Sequence, residues 1–340
     1  MVVPLYLNYL DYESYALIGI SFVINSFSQV IDFGFHRVLM RRTSLFYSGN
    51  YDILDLRRLL KSVETVLFLF LSIPLLILAL YSEWIFSNFF NVEYLNPSKM
   101  RISIVLMFLL LLVKAFYGIY RGGIEGFERF KWNGYASVLF NILRYPGGLI
   151  LLIYKPDINK FFAFQLIISL VELFIFRSKY LAMFNNDQEI KSYFSWKYLI
   201  GEANFSKSLT YLSIMSVLLV HLDKFILMNS LTMKEFGFFT TILIFSTGML
   251  SAAVPFGNVV VSRLTFLHLD TDLKKIKNIY GDMTQLAVLF FLPISITVAI
   301  YSWEFIFLLT GSYEVANWGQ VVLSLFIIGN FFFILGGFQY

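Results

Sequence analysis

The sequence predicts an all-α polytopic membrane protein, and three observations carry the prediction. Of its 340 residues, 58% are hydrophobic and only 14% are charged, about half the charge of an ordinary soluble domain. The apolar residues fall in long runs bounded by charges. Lysines and arginines gather in alternate connecting segments, as they do where loops are sorted by side of a membrane. So apolar a chain cannot cover its core with a water-compatible surface, which excludes a soluble globular enzyme. A crossing helix needs about 20 apolar residues, so the composition suffices for about ten. The chain has no cysteine, which excludes disulfides and thiol chemistry. Its three histidines, His36, His221 and His268, are too widely spaced for a structural zinc site. No cofactor and no metal are expected.

Taken in order, the apolar runs predict spans at about 16–35, 62–81, 102–121, 134–154, 160–181, 207–229, 236–261, 282–302 and 318–338. These are nine complete helices. Ahead of them Val2 to Leu7 is an apolar stub too short to cross, and it lacks the basic leader of a signal peptide. The longest connection, 182–206, reads as a short interfacial amphipathic helix carrying Tyr193, Phe194, Trp196, Tyr198 and Leu199 among lysines. Pro146-Gly147-Gly148 predicts a kink in the fourth span. Gly122-Gly123 with Gly126 reads as a cytoplasmic turn, without the lysine or spacing of a phosphate loop.

Orientation follows from the cations. Segments 36–61, 121–131, 177–207 and 263–277 hold eighteen lysines and arginines, and the alternating segments hold five. The first group is therefore cytoplasmic, and the first complete span runs from outside to inside. This topology explains the basic loops without nucleic acid, for which aromatic interleaving is lacking.

Two regions repeat. Glu13-Ser14-Tyr15-Ala16 leads through Asp32-Phe33-Gly34 to Arg41, and Glu235-Phe236-Gly237-Phe238 leads through Pro255-Phe256-Gly257 to Arg263, with a separation of 28 from Glu to Arg in both. Further on, Ser72-Ile73-Pro74 through Ser82-Glu83-Trp84 matches Phe291-Leu292-Pro293 through Ser302-Trp303-Glu304. Parallel repeats of this kind are a transporter signature. They divide the chain into an N-terminal lobe, 1–206, and a C-terminal lobe, 207–340. By the same register the first helix is incomplete and the second lobe lacks its last two helices, giving about twelve spans in two bundles of six for a complete protein.

Several motifs carry a family resemblance. Tyr9-Leu10-Asp11-Tyr12-Glu13-Ser14-Tyr15, then Asp32-Phe33-Gly34 and Arg41, resembles the opening of bacterial polysaccharide-biosynthesis flippases, the Wzx-type O-antigen and lipid-linked oligosaccharide translocases. Tyr117-Gly118 to Gly126-Phe127-Glu128-Arg129, with Asn133, Asn141 and Arg144, is similar to their fourth and fifth helices. Leu222-Asp223-Lys224-Phe225-Ile226, then Glu235-Phe236-Gly237-Phe238-Phe239-Thr240, Pro255 and Arg263-Leu264, continues the pattern. Ala16 departs from it, standing where the family usually has glycine. The resemblance implies the two six-helix lobes of the multidrug/oligosaccharidyl-lipid/polysaccharide exporter superfamily. It implies a multi-pass protein of the bacterial cytoplasmic membrane, working with other polysaccharide assembly proteins. Its implied substrate is an undecaprenyl-pyrophosphate-linked oligosaccharide, moved to the outer leaflet for O-antigen, capsule or exopolysaccharide synthesis.

Polar residues within the spans name the candidate site, because ionisable groups in hydrocarbon face a bundle interior or a wet cavity. At helical spacing, stripes form from Asn25, Gln29, Asp32 and His36; from Lys114, Tyr117 and Arg121; from Asn141, Arg144 and Gly148; from Gln165, Ser169 and Glu172; from Ser213, Ser216 and Asp223, beside Lys224; and from Thr240, Thr247, Ser251 and Asn258. The serines and threonines have a bland alternative, bonding back to their own helices. A pyrophosphate attracts cations strongly in a low dielectric, and arginine grips its oxygens two at a time. Lys114, Arg121 and Arg144 are the expected pyrophosphate ligands, with Gln29, Asn25 and Tyr117 lining the sugar path. Glu172, Asp223, Lys224 and Asp32 are expected in ion pairs or coupling. Asp32 and His36 equally suit anchoring of the helix end. Three other functions make different demands on the same residues. A drug or cation antiporter of the same fold wants acidic groups in the cavity. A polysaccharide polymerase or ligase wants a large outer loop with catalytic groups. A scaffold has no need of six polar stripes.

Overall fold

The structure, a computed structural model, describes residues 3–26, 34–89, 97–184, 194–268 and 273–337. Among the described residues there is no strand. Within them a 3-10 helix, Val3–Asn8, precedes eleven α-helices: α1 Tyr12–Ser26, α2 Phe35–Tyr47, α3 Ile53–Phe89, α4 Pro97–Gly126, α5 Phe130–Tyr154, α6 Ile158–Ala182, α7 Trp196–Ser230, α8 Met233–His268, α9 Leu273–Ile300, α10 Ser302–Thr310 and α11 Tyr313–Gly337. The fold is all-α, as the apolar runs require.

Among the described residues five helices are long and apolar enough to cross a membrane: Ser98–Gly126, Phe130–Tyr154, Ile158–Ala182, Met233–Ala253 and Tyr313–Gly336. They coincide with five of the predicted spans. Two more predicted spans fall on bent pairs, Thr210–Leu219 with His221–Ser230, and Thr284–Ile300 with Ser302–Thr310. The outward faces explain why these helices need hydrocarbon. On α5 and α6, Tyr135 is 78% exposed and Phe174 68%, and Leu139, Ile142 and Ile167 are exposed with them. On the same two helices Arg144, Gln165, Ser169 and Glu172 are buried. A soluble protein does the reverse. Apolar out and ionic in is the arrangement a lipid solvent selects.

The chain divides into two compact units, Glu13–Met233 and Met1–Tyr12 with Lys234–Tyr340. In the first, Val38 and Leu39 of α2, Leu59 and Val63 of α3, Ile124 of α4 and Phe176 of α6 lie at the centre of one apolar core. Polar contacts fix the helices around it. Tyr120 donates to Glu64 Oε1 at 2.5 Å, joining α4 to α3. The Thr43 and Tyr180 hydroxyls meet at 2.9 Å, joining α2 to α6. In the second unit the core holds Phe238 and Ile242 of α8, Phe291 of α9, Ile306 of α10 and Leu323 of α11. Tyr12 packs edge-on to Phe238 with centroids 4.9 Å apart, and its hydroxyl meets Ser312 Oγ at 3.0 Å. Lys234 Nζ lies 5.5 Å from the centre of the Tyr12 ring and 2.5 Å from Glu314 Oε1.

Several expectations are corrected. The predicted span 16–35 is not one helix, because Gly34 sits at φ 71° in the left-handed region and ends any helix through it. The chain restarts as α2, so the supposed loop 36–61 is largely helical. The stub at the N-terminus is a 3-10 helix, with Tyr9 and Leu10 both donating to the Tyr6 carbonyl. The interfacial helix expected within 182–206 is the first part of α7, and Tyr193 lies outside the described residues. The segment 303–317, between the last two predicted spans, is mostly helix: α10 turns by 82° from α9. Ser324 on α11 donates to the Ala299 carbonyl at 2.8 Å, satisfying one of the acceptors that the end of α9 leaves free. α5 continues through Pro146 as one helix rather than breaking there. The matched repeats also differ locally, since α3 runs on past Ser82-Glu83-Trp84 to Phe89, whereas α9 ends before Ser302-Trp303-Glu304.

The start of α7 docks by charge as well as by apolar contact. Arg42 of α2 donates through Nε to Glu202 Oε1 at 2.6 Å and through Nη2 to the same oxygen. The Arg42 guanidinium also lies 4.9 Å above the Tyr51 ring. Burial pushes the Tyr51 phenol above its ordinary value against the pull of Arg42, so the ring under the cation stays neutral. Tyr198 donates to Asp55 Oδ1 at 2.6 Å and accepts from Arg58 at 3.2 Å. Glu202 is buried, so Glu202→Ala strands a half-buried guanidinium. We expect a cost of about 2 kcal/mol, read as a lower unfolding temperature and as faster amide exchange across 196–202.

Candidate functional site

The site forms where α4, α5 and α6 meet in the first unit. Arg144 on α5 is 9% exposed and Glu172 on α6 is 6% exposed. Arg144 Nη2 donates to Glu172 Oε2 at 2.5 Å and to Ser169 Oγ at 3.2 Å. Ser169 and Glu172 are three residues apart, so one turn of α6 presents both acceptors to one nitrogen. Gln165, one turn further along, donates to the Arg144 backbone carbonyl at 3.2 Å. The turn that carries Arg144 is thus clamped at side chain and backbone. Arg144 Nε is buried and has no hydrogen-bond partner among the described residues.

α4 brings the second cation. Lys114 is in electrostatic range of both Arg144 and Glu172. Tyr117, three residues on, lies in electrostatic range of Glu172, Arg144 and Arg121. Its ring packs against Phe176 at 4.7 Å. Tyr145 also lies within the field of Arg144 and Glu172. Among the described residues the centre of the cluster therefore holds two cationic side chains to one carboxylate, with Tyr117 and Tyr145 in electrostatic range. Such a group sits well in hydrocarbon only when its charges are paired, and it has one cation to spare.

A second polar node lies along α4. Glu125 Oε1 accepts from Arg121 Nε at 2.8 Å and from Asn133 Nδ2 at 2.7 Å. Its Oε2 faces His36 Nε2 at 3.3 Å. His36 Nδ1 is 2.7 Å from the Gly118 carbonyl, which only accepts, so Nδ1 carries a proton. Both ring nitrogens face acceptors, an arrangement that suits the doubly protonated ring. Glycine makes this approach possible. A Cβ on Gly122 would stand 2.3 Å from the His36 carbonyl oxygen, and one on Gly126 2.5 Å from that of Met40. The Gly122-Gly123-Gly126 set is therefore a helix-packing surface inside α4, not a turn.

Of the expected ligands, the structure brings together Lys114, Tyr117, Arg144 and Glu172, with Gln165 and Ser169. Arg121 connects to them through Tyr117 but spends its Nε on Glu125. Asn141 is exposed and does not share the buried face of Arg144. Asn25 donates to the Ser21 carbonyl on its own helix at 2.7 Å, the bland role for such a residue. His36 belongs to α2 rather than to a continuous stripe with Asn25, and Gln29 and Asp32 lie outside the described residues. Asp223 and Lys224 form a pair of their own, with Lys224 Nζ 3.0 Å from Asp223 Oδ1. Thr240, Thr247 and Ser251 bond back to carbonyls of α8 at 2.9–3.0 Å. The side chains of Ser213, Ser216 and Asn258 lie outside the described residues. Sequence reasoning missed Glu125 as the partner of Arg121, and Asn133 as a second donor to the same carboxylate oxygen. The signal was there: Arg121 and Glu125 are four apart on one helix. Among the described residues no group of three or more His, Asp or Glu side chains forms that could hold a metal. No protein family matches the chain, and no curated protein does.

Proposed function

We propose that the chain is a transporter that flips undecaprenyl-pyrophosphate-linked oligosaccharide units across the bacterial cytoplasmic membrane. The observation that carries the reading is the Lys114–Arg144–Glu172 group. Among the described residues Arg144 and Glu172 are buried between apolar helices with Lys114 half-buried in their field, so the group has a cation to spare and leaves an arginine Nε without a partner. A pyrophosphate carries at least two negative charges and suits that surplus. The motifs that resemble the polysaccharide flippases, and the cations sorted to alternate loops, support the same reading. In it two helical lobes rock between inward- and outward-facing states. Arg144 and Lys114 hold the pyrophosphate, Tyr117 and the polar groups beside it face the sugar, and no covalent chemistry is catalysed.

The competing antiporter reading draws on Glu172, the buried carboxylate. Arg144 already holds that carboxylate, which leaves it a poor primary site for a cation. Complementation of a flippase-deficient bacterium decides between them. Recovery of surface polysaccharide supports the flippase, and drug resistance without polysaccharide supports the antiporter. Arg144→Glu is expected to abolish export while the protein still reaches the membrane. Normal export by that variant overturns the proposal.

A further inference from the structure

We infer that the Glu172 carboxylate sits in the anion seat of Arg144 and is displaced when the phosphorylated ligand binds. The inference rests on the reading of Arg144 as the pyrophosphate anchor and adds a built-in competitor to it. A guanidinium has five N–H donors in a plane. The Nη2 nitrogen serves both Glu172 and Ser169, while Nε, buried in the same site, serves nothing. The pairing with Glu172 is through one nitrogen and one oxygen rather than a two-point fork. Phosphate oxygens, which arginine binds in the forked manner, make better use of the same group.

The geometry also keeps the empty site stable. Without ligand, two cations packed within apolar helices repel one another and lack a counter-charge. Glu172 supplies it through α6, and Ser169 and Gln165 hold the arginine in place. When a pyrophosphate arrives it brings its own negative charge, and Glu172 becomes redundant. The site therefore exchanges one anion for another and is not left with bare charge in the bilayer at either stage.

The test measures binding to the purified protein in lipid nanodiscs, with farnesyl pyrophosphate as the lipid-linked probe and inorganic pyrophosphate as the free one. Glu172→Gln is expected to bind farnesyl pyrophosphate at least tenfold more tightly than the unaltered protein. Glu172→Asp keeps the charge but withdraws the carboxylate by one methylene. It is expected to gain affinity too, which separates local competition from a general change in field. Arg144→Gln is expected to lose binding, and adding Glu172→Gln to it is expected to change nothing. Equal or weaker binding by both Glu172 variants overturns the competition while leaving the transporter reading intact. Absence of binding of either probe to the unaltered protein and to both Glu172 variants overturns the pyrophosphate reading itself. A gain for inorganic pyrophosphate equal to that for the lipid probe supports the seat and assigns it to free phosphate. Elution of each variant as a single species with helical content unchanged confirms that loss of binding is not loss of fold.

Discussion

Gly122→Ala is expected to destabilise the first unit by about 3 kcal/mol, the upper end of the cost of overpacking. The new methyl would stand 2.3 Å from the His36 carbonyl oxygen and 2.9 Å from His36 Nδ1. Both are fixed, the first as backbone of α2 and the second by its hydrogen bond to the Gly118 carbonyl. The only relief is for α2 to lift away from α4. That separates His36 from Glu125 and loosens the Val38 and Leu39 contacts in the core below. Gly126→Ala meets the Met40 carbonyl in the same way and should cost a similar amount. Gly134→Ala is the control, since nothing lies within 4 Å of its Cβ, and it should be neutral or slightly stabilising. Thermal unfolding in detergent orders the three. Gly122→Ala unfolding at the same temperature as Gly134→Ala would sink the packing account.

The glycines show where the sequence is hard to read. A Gly-Gly pair beside a basic stretch looks like punctuation, because in water glycine frees the backbone. Between membrane helices the same residue lets two backbones touch, and only a partner helix reveals which use applies. Here the partner, α2, lay in what composition marks as a loop, since His36, Arg37, Arg41 and Arg42 lower its mean hydropathy, although Phe35, Val38 and Leu39 keep the spacing of one helical face. The break at Gly34 is a matter of one backbone dihedral, and hydropathy carries no trace of it. Arg144, Ser169 and Glu172 were legible for the opposite reason. A charge inside an apolar run must find a partner, and helical spacing limits the candidates to a few. The apolar runs located α4, α5, α6 and α11 well because each is a straight run between charges. They located α10 poorly because an apolar segment that turns by 82° has the composition of one that goes straight on.

Breaking the Arg144–Glu172 pair from one side should cost more than removing it altogether. Arg144→Ala leaves a carboxylate that is 6% exposed without its counter-ion, and Glu172→Ala leaves a guanidinium beside Lys114. Each single change is expected to cost about 3–5 kcal/mol, the range for orphaning one partner of a buried pair. The double change to alanine removes both desolvated charges together. It should cost clearly less than the two single changes summed, and the shortfall measures the coupling directly. Lys114 makes the cycle asymmetric. With Glu172 gone, Lys114 and Arg144 face each other unscreened, so Glu172→Ala should be the worse of the two. Adding Lys114→Met to Glu172→Ala should then recover part of the loss, and adding it to Arg144→Ala should not, because there the lysine is the remaining partner of the carboxylate. Unfolding of the variants in one detergent, followed by helical signal, gives all the terms. Strict additivity of Arg144→Ala and Glu172→Ala would show that the two residues are neighbours without being partners. The orphaned arginine is also where an added anion has most to offer: if pyrophosphate stabilises Glu172→Ala more than the unaltered protein, the ligand is replacing the missing carboxylate at the same nitrogen atoms.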